Sequence, residues 1–389
     1  MPRLHDRTAA RAARLLPALG MVLQLSCARG RERDVRIGLL ALLTSDLAVQ
    51  SGVPSRQGAE MAIDEINERG GVEIAGKRHR LRLIVKDYEP RADAAASAAR
   101  ELINLDSADV LLGPQLSPHA VAASSVAEDA QVPMISPMAS NPAVTRGRHF
   151  VFRLAFLDPF QGEMLARYAL EDLHATRAAI LYDVANPYSR DIAALFRETF
   201  EGGGGRVVAS ETFTTDEKSD FRAPLQRIAK AGPQVLLLPN YSSVDSFQVR
   251  QARAVGVKAS FLGSDVWDPP GLRHVPEAIG TVFTQQWSPK ATLPQAAAFL
   301  EQYRVRYGVD ARTTAAMTYD AVRIVADALH RAGTTDGLAL AKAIGRTNGF
   351  SGVTGTITFD GTGDPRRSGL VSRLGATSDT ILRSVDPKP

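Results

Sequence analysis

From Val35 onward the chain alternates short apolar runs with amphipathic helical patterns, and that alternation restricts it to a parallel α/β architecture. Residues 35–41, 81–85, 110–112, 133–136 and 150–154 read as strands, with helices over 55–66, 94–105 and 117–130 between them. The first helix carries Ala59, Ala62, Ile63 and Ile66 at steps of three and four, which makes one buried face. Gly70-Gly71 stops it, because glycine accepts the left-handed backbone of a helix C-terminus. The same rhythm restarts with strands at 178–182, 207–213, 235–238 and 261–262 and helices at 189–201, 221–231 and 244–254. Helices over 294–307 and 314–332 follow, then strand-like runs at 355–359 and 370–374. The expected fold class is α/β, two doubly wound Rossmann-like lobes. A length of 389 residues suits two domains. No low-complexity linker separates the two sets, which favours several crossings between lobes over a bead-on-string arrangement.

Ahead of this alternation lies a different kind of segment. A basic stretch ending at Arg14 precedes an apolar run over 15–25, interrupted by Pro17 and Gln24. That run is too short to span a bilayer as a helix but suits a signal-peptide core. Ser26 before Cys27 resembles a bacterial lipobox, in which the cysteine takes a diacylglycerol and becomes the new N-terminus. Gln24 departs from that motif, and plain secretion with a chance cysteine is the other reading. Residues 1–27 are thus expected to be a signal peptide with a lipobox-like end, and 28–34 a polar tether. Cys27 is the sole cysteine, so an intrachain disulfide is excluded. Arg3, Arg7, Arg11 and Arg14 against Asp6 account for three of the four net positive charges. The remaining balance gives no electrostatic reason to expect nucleic acid.

Catalytic patterns are missing from the sequence. There is no Gly-x-Gly-x-x-Gly after a strand, and the glycine run at 202–205 follows a helix, where a phosphate loop would not sit. No Walker lysine and no Gly-x-Ser-x-Gly elbow occur. The histidines, at 5, 79, 119, 149, 174, 274 and 330, lack the spacing of a zinc site. The sequence asks for neither catalysis nor a cofactor.

Several ordered stretches resemble the bacterial type I periplasmic solute-binding family, in particular its branched-chain amino-acid-binding group. They are Gly58-Ala-Glu-Met-Ala-Ile-Asp-Glu-Ile-Asn67 with Gly70-Gly71, Gly113-Pro-Gln-Leu-Ser117 and Val132-Pro-Met-Ile-Ser-Pro-Met-Ala-Ser-Asn-Pro142. Tyr182-Asp-Val-Ala-Asn-Pro-Tyr188, Gln251-Ala-Arg-Ala-Val-Gly256 and Phe261-Leu-Gly-Ser-Asp265 continue the series. Tyr319-Asp-Ala-Val322 and Gly352-Val-Thr-Gly-Thr-Ile-Thr-Phe-Asp360 complete it. Each is weak alone, but their order and spacing cover nearly the whole chain after the leader. The resemblance implies two lobes joined by three hinge strands, with a ligand held between them. The lobes would comprise 35–155 with 288–354, and 156–287 with 355–389.

The resemblance also implies a site. Ser117, which opens a helix after a strand, would hold a ligand carboxylate through its hydroxyl and nearby backbone N–H groups; as a simple helix cap it would contribute about 1 kcal/mol. Ser140 matches a second hydroxyl for that carboxylate, and Met138 would contribute backbone groups; the alternative for both is a turn before Pro142. Asp265 matches an acidic residue for the ligand α-ammonium, where a turn or cap is the other reading. Tyr188 and Tyr241 match aromatic positions facing the cleft, against a core-packing alternative, and Trp287 is a candidate for its rim. Where the family usually places an aromatic residue against the ligand side chain, this chain has Gln50 and Ser51. The pocket is therefore expected to be more polar than a leucine site needs. The resemblance implies a monomer delivering a solute to an inner-membrane ABC permease, with a sensory receptor as the other reading.

Overall fold

The run Val235–Leu238 is buried at every position, as a strand covered by helices on both faces requires. It lies within one of two sheets that organise the chain. The structure, a computed structural model, describes residues 33–214, 220–267, 269–290 and 293–387. Cys27 and the leader stretch lie outside the described residues.

The first sheet runs in the order Leu81–Asp87, Val35–Ala41, Val110–Leu112, Met134–Ser136, Val151–Arg153, all parallel. The second begins Arg206–Phe213, Arg177–Asp183, Val235–Leu238, Ser260–Gly263, Val282–Gln285, again parallel. In both, the second strand of the chain lies outside the first and the third lies on its other side. That order puts a topological switch point beyond the carboxyl end of each first strand, the usual place for a ligand. Gly369–Arg373 and Thr380–Val385 extend the second sheet antiparallel. Side chains of Ile357 and Phe359 pack in the core beside the first sheet. The final crossing into the second sheet therefore comes just before Gly369, rather than at Gly355 where the sequence reading began its second lobe.

Helix Val53–Glu68 lies directly on helix Thr313–Ala332, and small residues make this possible. A Cβ on Gly58 would stand 2.1 Å from the carbonyl oxygen of Ala315, so only glycine fits there. Helix Asp158–Glu171 packs Met164, Leu165 and Tyr168 into the core of the second sheet. Helix Pro294–Tyr307 returns Phe299 and Tyr303 to the first core. The chain thus passes between the sheets after Arg153, after Gln285 and at Arg367. No helix among the described residues is long and apolar enough to cross a membrane.

Candidate solute-binding cleft

Polar side chains gather at the carboxyl ends of the strands of both sheets. On the first lobe, Ser117 opens the helix Ser117–Asp129 directly after the loop that follows Val110–Leu112. It is buried, and its Oγ accepts from the Asn141 N–H at 3.3 Å. Ser140 is buried in the loop after Met134–Ser136, and its carbonyl accepts from the Asp158 N–H at 3.0 Å. The two serine positions are therefore fixed through adjacent loop residues. Met138, between them, is half-buried and packs against the first core.

The second lobe answers with an aromatic pair and a carboxylate. Asn186 caps the helix Pro187–Gly202 by accepting from the Tyr188 N–H at 3.0 Å, which sets the Tyr188 ring at the switch point. Asn240 stitches the neighbouring strand end, accepting from the Asp183 N–H at 3.1 Å and donating to the Leu181 carbonyl at 2.9 Å. Tyr241 then stacks on Tyr188 with ring centroids 5.2 Å apart and planes 11° from parallel. Asp265, just past Ser260–Gly263, accepts from the Tyr188 hydroxyl at 2.6 Å and from Gln286 Nε2 at 2.6 Å. Its backbone N–H donates to Gln161 Oε1 at 3.1 Å, and that oxygen also accepts from the Thr284 hydroxyl at 2.8 Å.

Burial raises the Asp265 carboxyl above the ordinary carboxylate range, against the hydrogen bonds from Tyr188, Gln286 and Gln161. Burial likewise raises both tyrosine hydroxyls, so they stay protonated and can donate. The Tyr241 hydroxyl is buried and has no hydrogen-bond partner among the described residues. An arrangement of this kind favours a cation, because a positive group would lower the cost of keeping Asp265 ionised.

Sequence reasoning missed several residues that complete this arrangement. Asp158 is 0% exposed at the start of its helix, and burial pushes it well above the usual range. The Ser140 hydroxyl favours its charged form, whereas Asp265 and Asp191 oppose it. The Asp158 N–H donates to the Ser140 carbonyl, and Gln161 on the same helix accepts from the Asp265 N–H, so this helix start brings the two lobes' polar residues together. A direct tie also crosses the cleft, with Asn141 Nδ2 donating to Asp191 Oδ2 at 2.8 Å. Gln286 accepts from the Phe156 N–H at 2.9 Å while donating to Asp265, so it links a crossing segment to the site. The signal available for Asp158 was Asp-Pro following an apolar run, which marks a helix start.

The other predicted positions are placed differently. Gln50 is half-buried in the turn Ala48–Gly52, and its carbonyl accepts from the Thr314 hydroxyl at 3.4 Å. Neighbouring Ser51 is buried, and its hydroxyl has no partner among the described residues. Trp287 lies in the first core, its ring steeply inclined to that of Phe299 at 73° with centroids 6.4 Å apart. Among the described residues no group of histidine, cysteine and carboxylate side chains could hold a metal ion.

Two α/β lobes with polar groups facing each other from their strand ends define a class of proteins that close upon a small solute. The chain belongs to the periplasmic binding protein family, which it matches over residues 34–373. The family and the fold are those of substrate-binding proteins, not of enzymes. The chain is similar to Leu/Ile/Val-binding protein homolog 3 of Brucella melitensis, 29% identical over 359 residues covering 90% of this chain and 94% of the relative. It is also similar to a solved leucine-binding protein of Thermotoga maritima, with a TM-score of 0.84 and 31% identity. That likeness covers 91% of this chain and 99% of the other. A branched-chain amino acid substrate-binding protein of Streptococcus pneumoniae, solved with isoleucine, gives a TM-score of 0.82 at 29% identity and covers 92% of this chain and 100% of the other.

Proposed function

We propose that this protein is the extracytoplasmic solute-binding component of an ABC importer and that it closes on an amino acid or a related small amide or acid. The observation that carries this reading is the Asp265 carboxylate, held by Tyr188 and Gln286 and backed by the stacked Tyr241. It supplies a fixed anion for a ligand ammonium. Ser117 and Ser140, with backbone groups around Met138, would supply donors for the ligand carboxylate from the opposite lobe, the Ser140 hydroxyl turning away from Asp158 to do so. Charge-assisted hydrogen bonds of this kind contribute about 1.5–3 kcal/mol each. One zwitterion clamp with partial side-chain burial reaches micromolar affinity, about −8 kcal/mol.

The relatives' names point to branched aliphatic ligands, but Gln50 and Ser51 make the side-chain end of this site more polar. A small or polar amino acid fits it as well as leucine does. Closure would present a joined surface of both lobes to an inner-membrane permease, and the protein would work as a periplasmic monomer tethered through Cys27. A thermal-shift screen across amino acids tests the reading, since a ligand bound only by the folded state raises its melting temperature. The reading predicts at least one clear hit and fails if the folded protein responds to none.

A further inference from the structure

The guanidinium of Arg367 lies where the chain's three passages between the lobes come together. Arg367 itself occupies the third passage, between Pro365–Arg366, which pairs beside the first core, and Gly369–Arg373 of the second sheet. Its Nη1 donates to the carbonyl of Leu154 at 3.0 Å, on the first passage. Its Nη2 donates to the carbonyl of Gln286 at 2.9 Å, on the second, and to that of Thr354 at 3.1 Å. Nη1 also lies 3.1 Å from Met317 Sδ, under the helix Thr313–Ala332. The side chain is buried, and burial pushes it down to about 10, so it keeps its charge near neutral pH. Buried Asp320 lies near enough to favour that charge, although its own ion pair is with Arg323 at 3.7 Å. Its carboxylate accepts from the N–H groups of Val353 and Thr354 at 2.9 and 2.8 Å, next to the carbonyl that Arg367 holds.

A buried cation has to satisfy its donors, and here main-chain carbonyls from separate passages satisfy both Nη groups, while Nε has no partner among the described residues. Each passage can then change its backbone angles only with the others, unless one of these bonds opens. Gln286 extends the tie toward the ligand site, because its side chain bridges the Phe156 N–H and Asp265. We infer that Arg367 is a positioning residue for solute binding: it rivets the three hinge segments into one unit and, through Gln286, couples the hinge to the Asp265 carboxylate. The coupling to affinity rests on the proposed amino-acid function, whereas the rivet itself does not.

Hydrogen-exchange mass spectrometry on the ligand-free protein and its Arg367→Met variant separates these parts. Opening of a local unit speeds exchange of its own amides without touching distant cores. The Phe156 and Thr354 amides report on the crossings, and peptides over Ile37 and Leu237 report on the two sheets. The variant should exchange at least about tenfold faster across 154–157, 286–288 and 353–355 together, with both sheet cores unchanged. Unchanged exchange, faster exchange around residue 367 alone, or a uniform increase through both cores would each overturn the rivet. If Arg367→Met does not fold, Arg367→Lys serves by the same criteria, since one ammonium cannot reproduce the fork that reaches three carbonyls. Where the wild type binds an amino acid, the variant should bind it at least about tenfold more weakly, and an unchanged Kd would overturn the coupling. Absence of any amino-acid binding by the wild type would instead strike at the proposed function and leave the exchange result to stand or fall alone.

Discussion

Replacing Asp265 by asparagine keeps the size of the side chain and removes its charge. The asparagine oxygen can still accept from Tyr188, which now stands 2.6 Å from Oδ1. Its amide nitrogen would face the Gln286 amide nitrogen, now 2.6 Å from Oδ2, so that bond is lost. Turning Gln286 over would sacrifice its 2.9 Å bond with the Phe156 N–H. One such bond costs about 1 kcal/mol, and relief of carboxylate burial offsets it, so ligand-free stability should change by no more than about 1 kcal/mol. Binding is another matter. A ligand ammonium buried against a neutral amide forfeits about 3–5 kcal/mol, which weakens affinity about a hundred- to a few-thousand-fold. Calorimetry with the amino acid found by screening, beside urea melts of both proteins, measures the two effects separately. An Asp265→Asn protein that folds and binds within about threefold of wild type would refute the assignment of Asp265.

Removing the Tyr188 hydroxyl as Tyr188→Phe takes one donor from Asp265 and should weaken ligand binding about tenfold with the fold intact, as calorimetry and melting curves together would show. Asp158→Asn should stabilise the ligand-free protein, and by more at about pH 7.5 than at about pH 4.5. Burial raises this carboxyl in the folded state, so the native protein holds the proton more firmly than the unfolded chain does; stability falls as pH rises from the unfolded carboxylate range through the folded pKa, and asparagine abolishes that loss. Urea melts at the two pH values check it, and an equal gain at both would contradict the argument. Gly58→Ala should cost about 1–3 kcal/mol or more in urea melts, because its Cβ would stand 2.1 Å from the Ala315 oxygen. Asn141→Ala breaks the tie to Asp191 and should raise the ligand off-rate about fivefold in stopped-flow measurements, with little change in on-rate.

Much of the framework was legible because central parallel strands are short, apolar and bounded by helices. The expected strands at 35–41, 110–112 and 235–238 coincide with the observed ones. The helix Asp158–Glu171 was not read, because it buries residues around much of its circumference, among them the polar Asp158 and Gln161, and so shows no clean stripe. The strand Val282–Gln285 hides for a related reason, since it carries a fully buried Thr284 that bonds to Gln161. The edge strand Thr380–Val385 has adjacent Ile381 and Leu382 followed by Arg383 and Ser384, so it shows no regular apolar alternation. Of the cleft, the positions at strand ends could be named by resemblance, but their mutual arrangement could not. Tyr188 and Asp265 meet across 77 residues of chain, and Arg367 reaches Leu154 across 213. Partners that are backbone carbonyls leave no trace in the sequence, so Arg367 looked like any other arginine.

The account stands most directly on whether the two lobes hold a zwitterion. Calorimetric titration of the ligand-stripped protein with each amino acid would measure this. The account predicts a single site of about micromolar affinity for at least one of them, lost on Asp265→Asn. A folded protein that shows no saturable heat with any amino acid, or whose binding survives that substitution intact, would contradict it.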